Sequence, residues 1–517
     1  MLRHVSLILV LLFGAWALWP REAPQDEGAP AGGATGGAPR KYTIRFAPGI
    51  YMPGRRPMDL GQPLKALAEV AAEFEALHPD TRIEFTEAPV NSREYLVTQL
   101  SAGQAPDILN VNVEDVWQDV QKGWYVALDP YLEAPNPFVS TGELGSRQWW
   151  DLFKYQGISR GKAAPDGKMY CITLDMVETG IFYNKDIFRR LGLSPPRDWA
   201  DFERIQMRIQ EAGITSMLVG VSELSDWGVD LMFDQMYAPI LSGIDLAQDP
   251  VREVYLDGYL DWDEIAFLNT KGFFTRRDPR YVETFRLLKS WRRFFAKTLG
   301  GVDMLRNFVT RKGAMYWSGS WTVNRLERDP DVGFEWGVFY LPAVTKETHP
   351  YADGHPMVVI GGSGTQLELT NSAFSDTGDP ASSTKLKRCV AFLQFLTLPK
   401  NTQKVVNEIL AFLPNVVGAE PRTELLPFHE ILQRRYTTTK WTYTFDLRFN
   451  EIMRRMLDLY LNDGIDESEF MRWMESNVRS ASQTIVRRKR LDLSKFEARW
   501  RELAPVRERM QGLPAAP

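Results

Sequence analysis

Residues 181–199 read IFYNKDIFRRLGLSPPRDW. Ile181-Phe182-Tyr183 is a short apolar run that predicts a strand. Ile187, Phe188 and Leu191 then recur at helical spacing, and Gly192 stops that helix. Pro195-Pro196 breaks the chain. Asp198 is placed to cap a second helix with Phe202, Ile205 and Ile209 inward, stopped by Gly213. A strand followed so closely by helices points to an α/β layered fold.

The same alternation runs from about residue 41. Tyr42, Ile44 and Phe46 alternate with polar residues as a strand does. Pro48 to Gly61 is a loop. Pro63 is suited to open a helix whose apolar face is Leu64, Leu67, Ala71, Phe74 and Leu77, ended by Pro79. Arg82-Ile83-Glu84-Phe85 predicts a second strand. Asn91 and Glu94 form a capping-box pattern before Tyr95-Leu96. Pro106 to Leu109 predicts a short strand, and Val116, Trp117 and Val120 a helix closed by Gly123. In open α/β sheets ligands bind beyond the carboxyl ends of strands, so the loops after 46 and 109 are candidates. Further on, Asp278-Pro279 opens a helix carrying Tyr281, Phe285, Leu288 and Phe295. Leu386 to Leu396 is an apolar helix, and 446–510 reads as mostly helical.

A chain of 517 residues exceeds one ordinary core and suits two or three domains. Its net charge of -5 gives no basic excess for a nucleic-acid partner. Only Cys171 and Cys389 occur, each in an apolar stretch, and two buried free thiols are expected, with one bridge between them as the alternative. The five His are scattered, with no HExxH and no CxxC, so no metal or other cofactor is expected. The 16 Trp serve either a large core or exposed rings of the kind that stack on sugars. Composition does not separate the two.

The basic start and the apolar run Val5 to Trp19 read as an export signal with cleavage after Ala17, or as an uncleaved N-terminal membrane anchor. No Cys follows it to carry a lipid. Residues 20–40, rich in Pro, Gly and Ala, predict a flexible linker.

Several phrases occur in a fixed order: Phe74 to Pro79; Gln99 to Ile108 (QLSAGQAPDI); Lys122 to Leu132 (KGWYVALDPYL); Asp166 to Tyr170 (DGKMY); Tyr183-Asn-Lys-Asp186 with Gly192-Leu193 and Pro196 to Trp199; and Lys312 to Trp321 (KGAMYWSGSW). Gly361-Gly362 and Leu413-Pro414 follow. Each phrase alone is weak, but the series resembles the extracellular solute-binding proteins of sugar ABC importers, the family of the maltodextrin-binding protein, over residues 41–460. The resemblance implies a two-lobed α/β periplasmic-binding-protein fold with a ligand cleft between the lobes. It implies lobe 1 at 41–176 plus 360–412, lobe 2 at 177–358 plus 415–500, and a C-terminal tail at 501–517. It implies an extracytoplasmic monomer that closes on a carbohydrate and delivers it to an ABC permease in the membrane, without catalysis.

Sugars offer hydroxyls and apolar faces, so their sites pair carboxylates and amides with aromatic platforms. By the resemblance, Trp321 stacks on sugar; its bland alternative is a core Trp after a strand. Glu178 sits at an expected crossover as a ligand carboxylate, or as a hinge residue bonded to backbone. Asp226 and Trp227, with Glu223 beside them, form a polar–aromatic pair in a ligand loop, or a surface loop with a docked Trp. Asn112 and Glu114 follow the strand at 108, Glu114 being equally suited to a helix start. Val111 stands where the maltodextrin-binding protein has Trp, which argues against a maltodextrin ligand. Tyr51, Trp441, Tyr443 and Gly362 complete the candidates. Gly361 to Gly364 lacks the Lys-Ser/Thr of a phosphate loop, and Thr365 spoils a nucleophile elbow. The basic run Arg487 to Arg490 is expected to be a solvated helix face. Two rival readings are an extracytoplasmic carbohydrate-active enzyme, with Glu178 and Asp226 as paired carboxylates, and a ligand-loaded partner of a membrane sensor.

Overall fold

Two separate sheets organise the chain in the computed structural model. The described residues are 41–57, 61–88, 93–154, 164, 166–246, 260, 262–297, 303–352, 354, 365–433 and 447–514. The first sheet has the order β2-β1-β3-β10-β4, from β1 (Tyr42–Ala47), β2 (Thr81–Phe85), β3 (Ile108–Asn110), β4 (Cys171–Thr173) and β10 (Gln366–Leu369). Strand β1 is parallel to β2 and β3, while β10 is antiparallel to β3 and β4. Parallel neighbours need crossovers. Helices α1 (Ala66–Leu77) and α2 (Arg93–Ser101) provide them.

The second sheet has the order β7-β8-β6-β9, from β6 (Thr179–Asn184), β7 (Thr215–Leu218), β8 (Gly313–Gly319) and β9 (Trp336–Phe339). A two-stranded antiparallel ribbon, β5 (Asp175–Met176) with β11 (Leu413–Pro414), completes the set.

The opening stretch folds as its pattern predicts. Beyond β6 come α4 (Lys185–Leu191) and α5 (Trp199–Glu211), after α3 (Val113–Asp119) earlier in the chain. The Asn184 side chain accepts from the Ile187 N–H at 3.0 Å, and the Asp198 carboxylate from the Asp201 N–H at 2.8 Å. Both are helix N-caps. Gly192 takes the left-handed conformation at φ +67°, which ends α4 without a Cβ penalty.

One expected helix start moves. The helix begins at Ala66, not Pro63. Leu64 is paired with the preceding loop: its N–H donates to the Arg55 carbonyl and its carbonyl accepts from the Gly54 N–H. The Glu408 carboxylate then accepts from the N–H groups of Lys65 and Ala66. A distant acid thus does the work of a local cap.

The core divides with the sheets. One cluster gathers residues from Ile44 to Val177 and from Leu367 to Ala419. Val416 and Ala419 pack in it, beyond the expected limit of 412. A second gathers Ile181 to Ala352 and Phe449 to Ala481. Within β6, Ile181 faces this second cluster while Phe182 faces a third, with Phe308, Tyr316 and Phe428. The second sheet is therefore covered on both faces, which explains its nearly continuous apolar strands. Cys171 and Cys389 are buried free thiols in the first cluster.

Two of the quoted phrases acquire a physical reason here. Asp107 is buried, accepts from the Arg45 N–H and forms a 2.8 Å ion pair with Lys385 at the first turn of α10 (Thr384–Leu396). It locks β1, β3 and that helix together. Trp199 is fully buried and meets Trp291 edge to face at 5.2 Å. Trp291 ends α8 (Pro279–Trp291), packs on Trp317 at 5.6 Å and donates its indole N–H to Gln206.

The C-terminal region is helical, with α12 (Leu447–Leu461) and α13 (Glu467–Lys489). The stretch past 500, expected as a tail, is packed as far as 514. Residues Ala504–Glu508 form a helix, Leu503 is buried with Leu246, Phe267 and Phe496, and the Gln511 carbonyl accepts from Arg280 at 2.6 Å. Arg487 and Arg488 are exposed on the end of α13, as expected of a solvated face.

Trp291→Ala should destabilise the fold by ~3–5 kcal/mol, the usual cost of emptying a large aromatic site. Urea unfolding measures it. A loss below ~1 kcal/mol would mean that the tryptophan stack does not hold the second core together.

Candidate ligand-binding site at the crossing between the sheets

Three passages of chain meet where one core gives way to the other. Val177 packs in the first core and Ile181 in the second, so Glu178 lies at the passage itself. Ser320 binds the passages together. Its N–H donates to the Glu178 carbonyl at 2.7 Å, and its hydroxyl donates to the Ala411 carbonyl at 2.6 Å. The pairing of Leu413 with Met176 continues the contact.

The Glu178 side chain is 0% exposed, and neither carboxylate oxygen has a hydrogen-bond partner among the described residues. Burial pushes its carboxyl well above the usual carboxylate range. Groups of this kind are costly to the fold unless something else completes them.

Trp321 stands beside it. Thr179 pairs with Gly319 across the sheet, and the Trp321 ring folds back onto that glycine. A Cβ at 319 would come within 2.0 Å of the indole, so only glycine permits this seat. Trp321 is half-buried and packs against the first core, whereas half-buried Trp227 packs against the second. Their rings meet edge to face at 5.5 Å and 64°. Trp227 belongs to a π-helical turn, Leu224–Gly228, a rare conformation that often marks functional sites. The Trp321 ring thus sits one residue from Ser320, which holds the Glu178 backbone, and touches both cores.

The other candidates are placed as follows. Asp226 lies in the same π turn and Glu114 in the first turn of α3; their side chains are outside the described residues. Glu223 is half-buried just before that turn. Asn112 is exposed at the start of α3 and makes no side-chain cap. Val111 is buried, its N–H bonded to the Gln366 carbonyl and the Glu368 carboxylate. Tyr51, expected as a ligand contact, is 1% exposed and donates its hydroxyl to Asp175 at 2.7 Å. In this arrangement it braces β5 and offers no open face. Gly362, Trp441 and Tyr443 lie outside the described residues, as does the apolar segment 5–19.

Three residues escaped the sequence reading. Ser320 and Gly319 sit inside the quoted G-S-W phrase, which carried the signal. Asn324, on α9 (Thr322–Arg328), is fully buried with both amide atoms unbonded among the described residues. No pattern announces it. Among the described residues no group of three His, Cys, Asp or Glu is gathered as for a metal ion, and none is long and apolar enough as a helix to cross a membrane.

The model of the bacterial extracellular solute-binding protein family matches residues 59–403. The chain belongs to that family. Among curated relatives of this solute-binding protein, the multiple sugar-binding protein of Streptococcus mutans is 22% identical over 343 residues, 65% of this chain and 69% of its own. The melibiose/raffinose/stachyose-binding protein MelE of Bacillus subtilis is 24% identical over 208 residues, 39% of this chain and 42% of its own. Among solved structures, the apo form of RafE from Streptococcus pneumoniae superposes with a TM-score of 0.60 at 18% identity, covering 86% of this chain and 99% of that one. A chitin oligosaccharide binding protein gives 0.59 at 17% identity, covering 86% and 98%. The fold is accordingly the two-lobed α/β fold of this solute-binding family.

A carboxyl with a raised folded-state pKa favours the protonated fold. Its contribution is fully present below the ordinary carboxylate pKa and is lost as pH rises through the folded value. Glu178→Gln removes that loss. The variant's Tm relative to the natural protein should therefore rise between pH 4 and pH 8 in calorimetry. A difference that stays constant over this range would contradict the buried, unpartnered state of Glu178.

Proposed function

We propose that this solute-binding protein is the extracytoplasmic receptor of an ABC importer, and that it takes up a sugar or oligosaccharide by closure of its two lobes. One lobe is built on the first core, Ile44 to Val177 with Leu367 to Ala419, and the other on the second, Ile181 to Ala352 with Phe449 to Ala481. One observation carries the ligand class: two half-buried tryptophans of the second lobe, Trp227 and Trp321, meet edge to face where Trp321 packs on the first core, and the neighbouring Ser320 holds the backbone of Glu178, whose buried carboxyl has no partner among the described residues. Flat rings suit the apolar faces of pyranoses, and a carboxyl without a partner suits a hydroxyl. The sugar-binding names of the relatives support the same reading.

Closure follows from the seat of Trp321, a residue of the second lobe whose ring packs against the first core, so that a ligand on it reaches both. A ligand that touches groups from both cores binds the closed state better than the open one, and so shifts the population toward it. Nothing in this mechanism requires a bond to be cleaved. The permease receives the closed form. The expected export segment at 5–19 and linker at 20–40 suit a receptor working at the outer face of a membrane. Val111 in place of a tryptophan favours a ligand other than maltodextrin.

Isothermal titration against a broad panel of oligosaccharides should find saturable binding. Trp321→Ala should weaken it by roughly thirtyfold, the ~2 kcal/mol of a central aromatic contact. No binding across the panel sinks the carbohydrate reading. Product formation during long incubation with a bound oligosaccharide would favour an enzyme instead.

A further inference from the structure

A cavity of about 590 Å³ lies between α7 (Trp262–Thr270) with the turn that follows it and the far half of α13. Its volume falls within the roughly 300–1,000 Å³ of small-molecule sites. None of the candidate sugar contacts lines it. One wall of the cavity, Ala266 to Arg277, lies within the family match, and the other, α13, lies beyond residue 403, where the match ends.

Its walls are chemically specific. Three guanidiniums line it, those of Arg277, Arg479 and Arg487, against one carboxylate, Glu475. Glu475 is already committed: it pairs with Arg276 at 3.2 Å and with Arg479 at 2.9 Å. Arg277 and Arg487 form no ion pair with a carboxylate among the described residues, and Arg487 reaches only its own helix at the Gln483 carbonyl.

A buried hydroxyl points the same way. Ser482 lines the cavity, is 5% exposed, and its hydroxyl has no partner among the described residues. A helical serine or threonine ordinarily turns its hydroxyl back to the carbonyl four residues before it. Thr484 on the same helix does so, bonding the Ser480 carbonyl at 2.8 Å. Ser482 does not. The surrounding charge agrees. Residues 471–517 hold eleven basic and five acidic side chains, a balance of +6 in a chain whose total is -5.

We propose that this cavity is a second binding site, and that it takes a phosphate-bearing small molecule. Three guanidiniums and a hydroxyl supply more donors than the two oxygens of one carboxylate accept, whereas a phosphate monoester presents three terminal oxygens. Leu493, Val486 and Ala266 give the remainder of the ligand an apolar wall. The phosphate comes either from a soluble ester or from a lipid headgroup. The site is independent of the sugar-binding reading, and the two stand or fall separately.

The test uses the full chain. Inorganic phosphate and glycerol 3-phosphate are titrated calorimetrically, and vesicles of phosphatidylcholine with and without phosphatidylglycerol are sedimented with the protein. Saturable binding is expected in at least one arm, and the arm that responds names the source. Arg487→Gln and Arg277→Gln, both at exposed residues, should each weaken it by about tenfold. Ser482→Ala should weaken it without changing oligosaccharide titration. No saturable response to phosphate, glycerol 3-phosphate or anionic vesicles overturns the proposal. So does equal binding by the natural protein and the two arginine variants.

Discussion

Everything about this molecule depends on the passage that Ser320 holds. A two-sheet protein that closes on a ligand must let the chain cross between cores several times without leaving backbone groups unpaired. Here one serine satisfies two crossings at once. It donates its N–H to Glu178 and its hydroxyl to Ala411. The crossings at 175–178 and 411–414 are thereby kept in register by a serine at the end of a strand of the second sheet. The same clustering brings Glu178 and Trp321 side by side.

That coupling has an energetic side. Most buried carboxyls in this protein are completed by the fold. Asp107 has Lys385 and the Arg45 N–H, and Asp278 accepts from Tyr237 and three backbone N–H groups while capping α8. Glu178 has no such completion among the described residues. A receptor gains from such an arrangement, because a ligand that bonds the orphaned group recovers what the empty fold lacks. The tryptophan pair contributes differently. Trp227 and Trp321 both belong to the second lobe, but the Trp321 ring packs against the first core, so a ligand resting on it lies at the boundary between the two.

Much of this was legible in the sequence. The strand and helices at 181–211 follow from apolar spacing and from two capping residues, Asn184 and Asp198, whose roles are local. Local rules suffice there because partner and target lie three residues apart. The phrases with Asp107, Trp199 and Trp321 were readable as a resemblance, and the structure supplies their physical reasons. What could not be read depends on residues far apart in the chain. The start of α1 is set by Glu408, more than 300 residues away. The burial of Tyr51 is set by Asp175. Asn324 has no pattern at all, and the cavity beside α13 arises only when two separate helical regions pack. Periodicity reports which face is inward. It does not report what waits there.

The central claim is that the crossing at Glu178 and Trp321 is the binding site. A crystal structure of the protein with a bound oligosaccharide tests it most directly. The account predicts a sugar ring against the Trp321 and Trp227 indoles and a hydroxyl bonded to the Glu178 carboxyl. A sugar seated elsewhere, with Trp321 still packed against Trp227 and Glu178 still unbonded, would contradict it.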